Sequence, residues 1–196
     1  MPRNYWMLVT SPENFQVTRR LGVTVQGFKA NLQRKVQRIE PGDRILFYIA
    51  RDRYFAATAT ASSKYFDDHK PAWKKEGNAE FTFRVRLKPE MVLNDSEFMD
   101  ALQLAPRLDY VRKWAPEDWI MAFAQTNLHL LPKKDFLLVE EEMRKIKARR
   151  PKRPEGTGRP SRSGPPLAGQ PSGPRPKPSH DGLPNSMPTA EPIQGT

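Results

Sequence analysis

One tryptophan lies in a polar stretch that has neither the alternation of a strand nor the periodicity of a helix. The stretch is KPAWKK, residues 70–75, which surrounds Trp73 with three lysines. An indole can stack on any planar π-face and ammonium groups can hold phosphates, so this combination suits an unpaired nucleotide. Alternatively, the loop folds back and Trp73 anchors it on the core. The residues of the loop alone leave both roles open.

A second cationic feature is the run RKIKARRPKRP, residues 144–154. Residues 144–196 carry 11 Lys and Arg against 3 acidic residues, whereas residues 1–143 carry 22 against 19. Such a run attracts nucleic acid or another anionic surface, and it is equally typical of a solubilising tail or a nuclear localisation signal. We expect phosphate contacts from seven basic residues: Lys70, Lys74, Lys75, Arg149, Arg150, Lys152 and Arg153.

Residue types that commonly do catalysis are scarce. The chain has no cysteine, and its three histidines, His69, His129 and His180, are far apart in sequence. The pair Asp67 and Asp68 is too small a set of carboxylates for a metal-dependent nuclease. No phosphate-binding glycine loop or nucleophile motif occurs. We therefore expect no enzyme, metal or cofactor; an enzyme acting on nucleotides would need a convergent carboxylate or histidine.

Membrane insertion is not indicated. No apolar run approaches the roughly 18 residues that span a bilayer, and the first ten residues, MPRNYWMLVT, are too short and too quickly polar for a secretory signal. These features predict an intracellular, cytoplasmic protein without a membrane partner; a eukaryotic source would also allow a nuclear location. The oligomeric state is not indicated.

Composition divides the chain in two. All ten Phe, four Trp and five Tyr lie within the first 143 residues, enough for one core, whereas Pro, Gly and Ser dominate from Pro151 onward. A segment so poor in apolar residues cannot offset its ordering entropy. We predict a folded domain over residues 1–145 and a disordered basic tail over residues 146–196.

The first half of the domain alternates strands with short helices. We predict strands at residues 5–10, 44–50 and 54–63, a helix that begins at the Ser11 cap and ends before Gly22, and a short helix in which Leu32, Val36 and Ile39 share one face. EPGD, residues 40–43, predicts a type II turn with Gly42 at positive φ.

The second half is less regular. EFTFRVRLK, residues 80–88, predicts a strand with Phe81, Phe83, Val85 and Leu87 on the core face and Thr82, Arg84, Arg86 and Lys88 in water. We predict a partly irregular helix over residues 95–114 with Asp95 as its cap, strands at 118–123 and 128–131, and a last helix from Pro132. Strands without regular βαβ alternation predict an α+β fold: a mostly antiparallel sheet curled toward a barrel, flanked by helices.

Four stretches together resemble the EVE domain of the PUA-like superfamily, which is similar to YTH domains. They are YWMLVTSPENF, IEPGDRILFYIA, FAATATA and DWIMAFAQTNLHLLPKKDFLLV, and the likeness covers roughly residues 4–140. The resemblance implies a small curled barrel whose aromatic pocket accepts a modified base. It also places Trp73 in the loop that supplies a cage tryptophan in YTH relatives.

The resemblance further implies two pocket-lining stretches, at the end of the first strand and over VQGFKAN, residues 25–31. Many EVE domains have lysine in place of Val9 and an Arg-Asn pair near Phe28 and Lys29, so the polar residues of this pocket differ. The expected ligand contacts are Thr10, Ser11, Gln26, Gly27, Phe28, Lys29, Asn31 and Trp73. Alternatively, Phe28 belongs to the core, Lys29 is an ordinary solvated charge, and Thr10 and Ser11 satisfy local backbone.

The sequence hypothesis is a non-catalytic nucleic-acid-binding module that captures a modified base of RNA or DNA in an aromatic pocket, assisted by the basic tail. The alternative is a protein-interaction or small-ligand module whose Pro-rich tail docks on a partner through segments such as SGPRPKPS.

Overall fold

The computed structural model describes residues 3–74, 80–124 and 126–149. The strands in these residues are β1 (Tyr5–Thr10), β2 (Val25–Phe28), β3 (Arg44–Ile49), β4 (Tyr54–Ala61), β5 (Phe66–Asp67), β6 (Phe83–Val92), β7 (Met99–Asp100) and β8 (Leu128–Leu130). The α-helices are α1 (Pro12–Arg20), α2 (Gln33–Val36), α3 (Ala101–Leu104), α4 (Trp119–Ala124) and α5 (Lys133–Ala148). Short 3₁₀ helices occupy Ala30–Leu32, Asp95–Glu97, Ala105–Arg107, Asp109–Val111 and Pro116–Asp118.

The strands form one curled, mixed sheet in the order β2-β6-β4-β3-β1-β8, with β5 paired to β6 and β7 paired to β4. β1 and β3 are parallel, and the other pairings in the described residues are antiparallel. Register shifts at Phe47/Tyr48 and Thr58/Ala59 interrupt the β3, β4 and β6 ladders, where bulges increase bending. The α+β fold class is confirmed.

Both faces of β1 are buried, because helices cover the sheet on two sides. Tyr5, Met7 and Val9 join a core cluster to which α5 contributes Phe136, Val139 and Met143. Trp6 and Leu8 face the opposite cluster, which contains Phe15 of α1 and Val36 of α2. A continuous apolar run is typical of a strand buried on both faces. The run YWMLVT thus places the end of β1 in the interior of the domain.

The predicted ends of α1 are confirmed. Ser11 accepts a hydrogen bond from the Asn14 amide at 3.3 Å, and Gly22 takes a positive φ of 68° after the helix. The Val23 amide bonds the Thr18 carbonyl at 2.9 Å, which completes a Schellman-type end. The turn at residues 40–43 is also confirmed, with Gly42 at φ 96° and a 3.0 Å bond from the Asp43 amide to the Glu40 carbonyl.

The predicted strand over residues 118–123 is wrong, because this segment forms helix α4, Trp119–Ala124. A short apolar run cannot be assigned to strand or helix by periodicity alone. The residues before the run were the better signal, since Pro116 lies in the first turn of the preceding 3₁₀ helix with Glu117 and Asp118 beside it. Proline and acidic side chains favour a helix start. The strand predicted at residues 128–131 is confirmed as β8.

The predicted cap at Asp95 is also wrong. Asn94 caps the Asp95–Glu97 helix, and the Glu97 side chain accepts from the Asn94 amide at 2.9 Å, a capping box. Asp100 caps α3 by accepting from the Leu102 amide. Residues 95–114 therefore form several short helices and strand β7 instead of one helix. Most of the segment is irregular, as the prediction of a partly irregular helix allows.

The last helix is tied to the sheet by a buried ion pair. Arg44 of β3 bonds Glu140 of α5, and Glu140 also accepts from the Thr58 hydroxyl at 2.9 Å. The Arg44 guanidinium lies 5.2 Å from the centre of the Phe136 ring. These contacts, at Phe136 and Glu140, hold α5 on the sheet, and the helix continues to Ala148. The predicted disordered tail lies outside the described residues from 150 onward.

Candidate functional site

A depression lies where β1 ends and α1 begins. It has a volume of about 260 Å³ and is lined by Val9, Thr10, Ser11, Pro12, Ala50, Arg51 and Asn127. The parallel pairing of β1 with β3 places Ala50 here, because its amide donates to the Thr10 carbonyl at 3.0 Å. Asn127 enters from the chain before β8, and its carbonyl accepts from the Val9 amide at 2.9 Å. Three distant parts of the chain therefore meet at this edge.

Local backbone already uses the polar side chains predicted here. Ser11 is the cap of α1, and the Thr10 hydroxyl makes a long 3.4 Å contact with the Ser11 carbonyl. Arg51 pairs with Glu13 at 2.9 Å. The pKa of Glu13 is lowered, first by a hydrogen bond to its own amide in the first turn of α1 and also by Arg51. The depression thus offers backbone and hydroxyl groups, with its one lining cation partly neutralised.

The second predicted stretch, residues 25–31, continues from this depression. A narrow space of about 10 Å³ is lined by Thr10, Gln26, Gly27, Phe28, Lys29, Leu32, Phe81 and Asn127, among others. It shares Thr10 and Asn127 with the depression at the end of β1. So small a space admits no base. The structure therefore brings Thr10, Gln26, Gly27, Phe28 and Lys29 together, but around a closed site.

Several side chains of this stretch are engaged inside the protein. Gln26 accepts from the Thr18 hydroxyl at 2.8 Å and donates to the Gly27 carbonyl at 2.6 Å. Phe28 is only 1% exposed and belongs to the core cluster of Phe15, as the alternative prediction has it. Asn31 is exposed in the Ala30–Leu32 helix and lines none of the described cavities.

Trp73 packs directly on β2. Its ring lies so close to Gly27 that a Cβ added there would meet ring carbons at 2.6 and 2.7 Å. Its Nε1 donates to the Thr18 hydroxyl at 2.8 Å, and the residue is 5% exposed. The side chain of Asn14 fixes Lys74, the residue after Trp73. Its Oδ1 accepts from the Lys74 backbone amide at 2.8 Å, and its Nδ2 donates to the Lys74 carbonyl at 3.2 Å. The absence of a side chain at Gly27 thus leaves the room that the indole occupies.

Arg84 is a member of this site that the sequence prediction placed in water. The Arg84 side chain is only 8% exposed and pairs with Asp68 at 2.5 Å. Its guanidinium carbon lies 5.2 Å from the centre of the Trp73 ring. The guanidinium also donates to the Lys70 carbonyl. The alternation is otherwise kept, since Val85 and Leu87 are buried while Arg86 and Lys88 are exposed. Arg84 is buried because the loop folds over this end of β6, which begins at Phe83 rather than Glu80.

A cavity of about 120 Å³ lies beside Trp73, large enough for several water molecules. It is lined by Asp68, His69, Lys70, Pro71, Ala72, Trp73, Glu80, Phe81 and Thr82. Phe81 also lines the narrow space at β2, and the Lys29 ammonium lies 5.9 Å from the centre of the Phe81 ring. The loop cavity, the narrow space and the depression at the end of β1 therefore form one row, here called the groove.

Two exposed lysines belong to the loop of the groove, Lys70 in the wall of the loop cavity and Lys74 next to Trp73. Arg149 is exposed at the end of α5 and lines none of the described cavities. Lys75, Arg150, Lys152 and Arg153 lie outside the described residues. Within residues 3–74, 80–124 and 126–149, no group of three or more His, Cys, Asp or Glu side chains could hold a metal ion. In the same residues, no helix is long and apolar enough to cross a membrane.

This chain is similar in sequence to a known family. A family model described as EVE domain matches residues 4–121. UPF0310 protein PH1033 of Pyrococcus horikoshii is 22% identical over 148 residues, which cover 70% of this chain and 97% of that protein.

Two solved structures share the fold. A crystal structure of the Mmi1 YTH domain superposes with a TM-score of 0.55 at 10% identity, over 75% of this chain and 99% of that chain. The Mmi1 YTH domain in complex with RNA gives a TM-score of 0.53 at 9% identity, over 74% of this chain and 80% of that chain. Identities this low show a shared fold and nothing more. Because the family match extends over more than half of its residues, this chain belongs to the EVE domain family.

Proposed function

We propose that this protein is a non-catalytic nucleic-acid-binding module that holds one unpaired nucleotide in the groove beside Trp73. The observation that carries the proposal is that Trp73 and Phe81 line the loop cavity while the Lys29 ammonium lies beside the Phe81 ring. Aromatic faces with cations between them can accept bases and phosphates in turn, without a catalytic group. One relative of the same fold is described in complex with RNA, which makes single-stranded RNA the first ligand to test.

In this proposal the base enters the loop cavity and stacks on the accessible side of Phe81 and the rim of Trp73. Phe81 is half-buried, so part of its ring already faces the cavity. Stacking of one base on an aromatic side chain contributes about 1 to 3 kcal/mol. Lys29, Lys70 and Lys74 would meet the adjacent phosphates from the two sides of the groove. Thr10 and Ser11 would contact the neighbouring nucleotide at the end of β1.

Full insertion of a base between Trp73 and β2 requires the loop to move. Trp73 fills the space over Gly27, its indole donates to the Thr18 hydroxyl, and that hydroxyl donates to Gln26. Opening this contact would free the Gln26 amide to pair with a base edge. A methyl group on the base would add only about 0.8 kcal/mol by burial. The proposed preference for a modified base is therefore a few-fold, unless a hydrogen bond also changes.

The test is a fluorescence anisotropy titration of the full chain with short labelled single-stranded RNA and DNA, each with unmodified or methylated adenine and cytosine. Phe81→Leu keeps an apolar side chain and removes the stacking face, so we expect it to weaken binding about fivefold or more. Lys29→Met should weaken it by a smaller factor. Lys113→Met is the matched control, because Lys113 is exposed and lines none of the described cavities.

Saturable binding that Phe81→Leu weakens and Lys113→Met does not would support the groove as the binding site. Equal affinity of Phe81→Leu and the parent protein would exclude a base stacked at this position. Absence of saturable binding to every oligonucleotide would overturn the proposed function.

A further inference from the structure

A second cleft lies between helix α2 and strand β8, apart from the groove. Its volume is about 210 Å³, and its walls include Trp6, Lys35, Arg38, Tyr110, Thr126 and His129. None of the residues that line it lines the groove cavities. Helix α2 and the residue before it separate the two sites, since Leu32 lines the narrow space of the groove and Lys35, one turn later, lines the cleft.

The cleft is positively charged. The Lys35 ammonium donates to the Thr126 hydroxyl at 3.1 Å and to the Leu128 carbonyl at 3.0 Å. Both acceptors are neutral, so they fix the ammonium without cancelling its charge, and a third N–H is left for another acceptor. Arg38 is exposed and makes no ion pair within the described residues. No carboxylate lines the cleft among those residues.

Beside Lys35 the cleft is lined by polar groups with fixed positions. His129 Nε2 lies 2.5 Å from the Thr126 carbonyl, and His129 Nδ1 is bonded to the Tyr110 hydroxyl. The Tyr110 hydroxyl also bonds the Ala122 carbonyl at 3.0 Å. Burial, and then the positive charge of Lys35, lowers the pKa of His129. The Lys35 ammonium thus lies close enough to act on the His129 imidazole, and it makes no ion pair within the described residues.

We propose that this cleft binds a phosphate group, with Lys35 and Arg38 as its cationic ligands. Lys35 is held in place by its two neutral acceptors, and Arg38 lies one position beyond the C-cap of α2, where its long side chain can close on the same oxygens. A guanidinium and an ammonium together suit the tetrahedral oxygens of phosphate. The phosphate belongs either to a free phosphate ester or to the backbone of a nucleic acid, and the two sources share this chemistry. The site does not depend on base binding in the groove.

The experiment is an NMR titration of the ¹⁵N-labelled full chain with inorganic phosphate at constant ionic strength, with chloride as the reference anion. We expect saturable shifts of the amides of Lys35, Thr126 and His129 with phosphate and not with chloride. Arg38→Gln should weaken the apparent affinity about tenfold, the effect of losing one charge-assisted hydrogen bond. Arg34→Gln is the matched control, since Arg34 is an exposed arginine four residues before Arg38, in α2, and does not line the cleft.

Lys35→Met tests the second ligand while retaining the apolar stem. Because it also removes two internal hydrogen bonds, its fold is checked by thermal unfolding and by the amide spectrum away from the cleft. A folded Lys35→Met protein that does not bind phosphate supports the proposal. Shifts that do not saturate, that chloride reproduces, or that Arg38→Gln leaves unchanged would overturn it.

A final arm identifies the source of the phosphate. A short single-stranded RNA is added to the protein saturated with inorganic phosphate, with Phe81→Leu as background to weaken the groove. Displacement of phosphate from the cleft amides assigns the site to a nucleic-acid backbone. Retention of phosphate, together with displacement by a nucleoside monophosphate, assigns it to a free phosphate ester.

Discussion

The contact between Gly27 and Trp73 decides whether the loop can lie against β2. We predict that Gly27→Ala destabilises the domain by about 1 to 3 kcal/mol, the usual cost of an overpacked site. The added Cβ would meet ring carbons of Trp73 at 2.6 and 2.7 Å and the Phe81 Cβ at 3.0 Å, and a buried indole cannot turn away freely. The measurement is the free energy of unfolding from urea denaturation.

A double-mutant cycle separates this contact from the effect of alanine on the strand. In a Trp73→Leu background the smaller side chain leaves room for the Cβ, so Gly27→Ala should cost less than about 1 kcal/mol there. An equal cost in both backgrounds would show that Trp73 is not the source of the strain.

His129 makes the stability of the domain depend on pH. Its pKa is lowered in the folded protein, first by burial and also by the charge of Lys35, so the unfolded chain binds the proton more readily. Stability should therefore fall as pH decreases from the ordinary histidine pKa, about 6.5, toward the lower folded value. We predict that His129→Gln reduces this pH dependence, measured as urea midpoints between pH 7.5 and pH 5.

The Tyr110 hydroxyl does not titrate in this range, because burial raises its pKa to about 12. The carboxylates contribute equally to both proteins, so the difference between their slopes reports His129. A parallel pH dependence in the variant and the parent would contradict the prediction.

Single-residue patterns identified which side chains belong to this region but not how they are used. The lysines around Trp73 indicate a ligand contact for this residue, yet nothing in the sequence indicates that its ring packs against Gly27. Strand alternation predicts that Arg84 points to solvent. That pattern accounts for the faces of the sheet, but not for a loop that folds over one of them and buries the side chain. Its ion pair with Asp68 crosses 16 residues of sequence. Asn127 lacked any local signal, because its position depends on β8 pairing with β1.

Among the elements, α5 is attached to the sheet by a buried ion pair in addition to its apolar contacts. We predict that Glu140→Ala costs about 3 to 5 kcal/mol of unfolding free energy, since it leaves Arg44 as an uncompensated buried charge. The Arg44 and Glu140 side chains are only 12% and 8% exposed, and Thr58 would lose its acceptor as well. Chemical denaturation followed by tryptophan fluorescence measures the loss.

Glu141→Ala is the matched control for this variant. Glu141 is the next residue of α5, half-exposed and paired with Arg144 on the surface, so its removal should cost less than about 1 kcal/mol. A Glu140→Ala cost as small as that of Glu141→Ala would mean that the ion pair does not stabilise the helix on the sheet.

Elements with a local cause were predicted well, and those decided by packing were not. β1, α1 and the turn at residues 40–43 depend on an apolar run, a serine cap and a Pro-Gly pair that act within a few residues. The sequence predicts a strand where helix α4 lies, because a short apolar run such as WIMAF fits a buried strand and a buried helix equally well. The parallel pairing of β1 with β3, which forms the site at Thr10 and Ala50, joins residues about 40 positions apart. Such pairings have no signal in a single sequence.

At the scale of the whole molecule, positive charge is concentrated beyond the folded core. The formal net charge is +11, and much of it comes from the residues that follow α5. If the domain selects a base and the basic residues attach to phosphates, the two contributions respond differently to salt. Stacking in the groove depends weakly on ionic strength, whereas each phosphate contact releases counter-ions from the nucleic acid.

We therefore predict that replacing Arg150, Lys152 and Arg153 together with glutamine flattens the salt dependence of RNA binding. For single strands each phosphate contact contributes about 0.7 to the slope of log affinity against log salt concentration, so three lost contacts should reduce the slope by about 2. Anisotropy titrations at several salt concentrations measure it, with Phe81→Leu as the reference variant. Phe81→Leu should lower affinity without changing the slope, because it removes a stacking face and no charge. An unchanged slope in the triple variant would exclude these three residues from the phosphate contacts and leave the electrostatic attachment to the lysines of the domain.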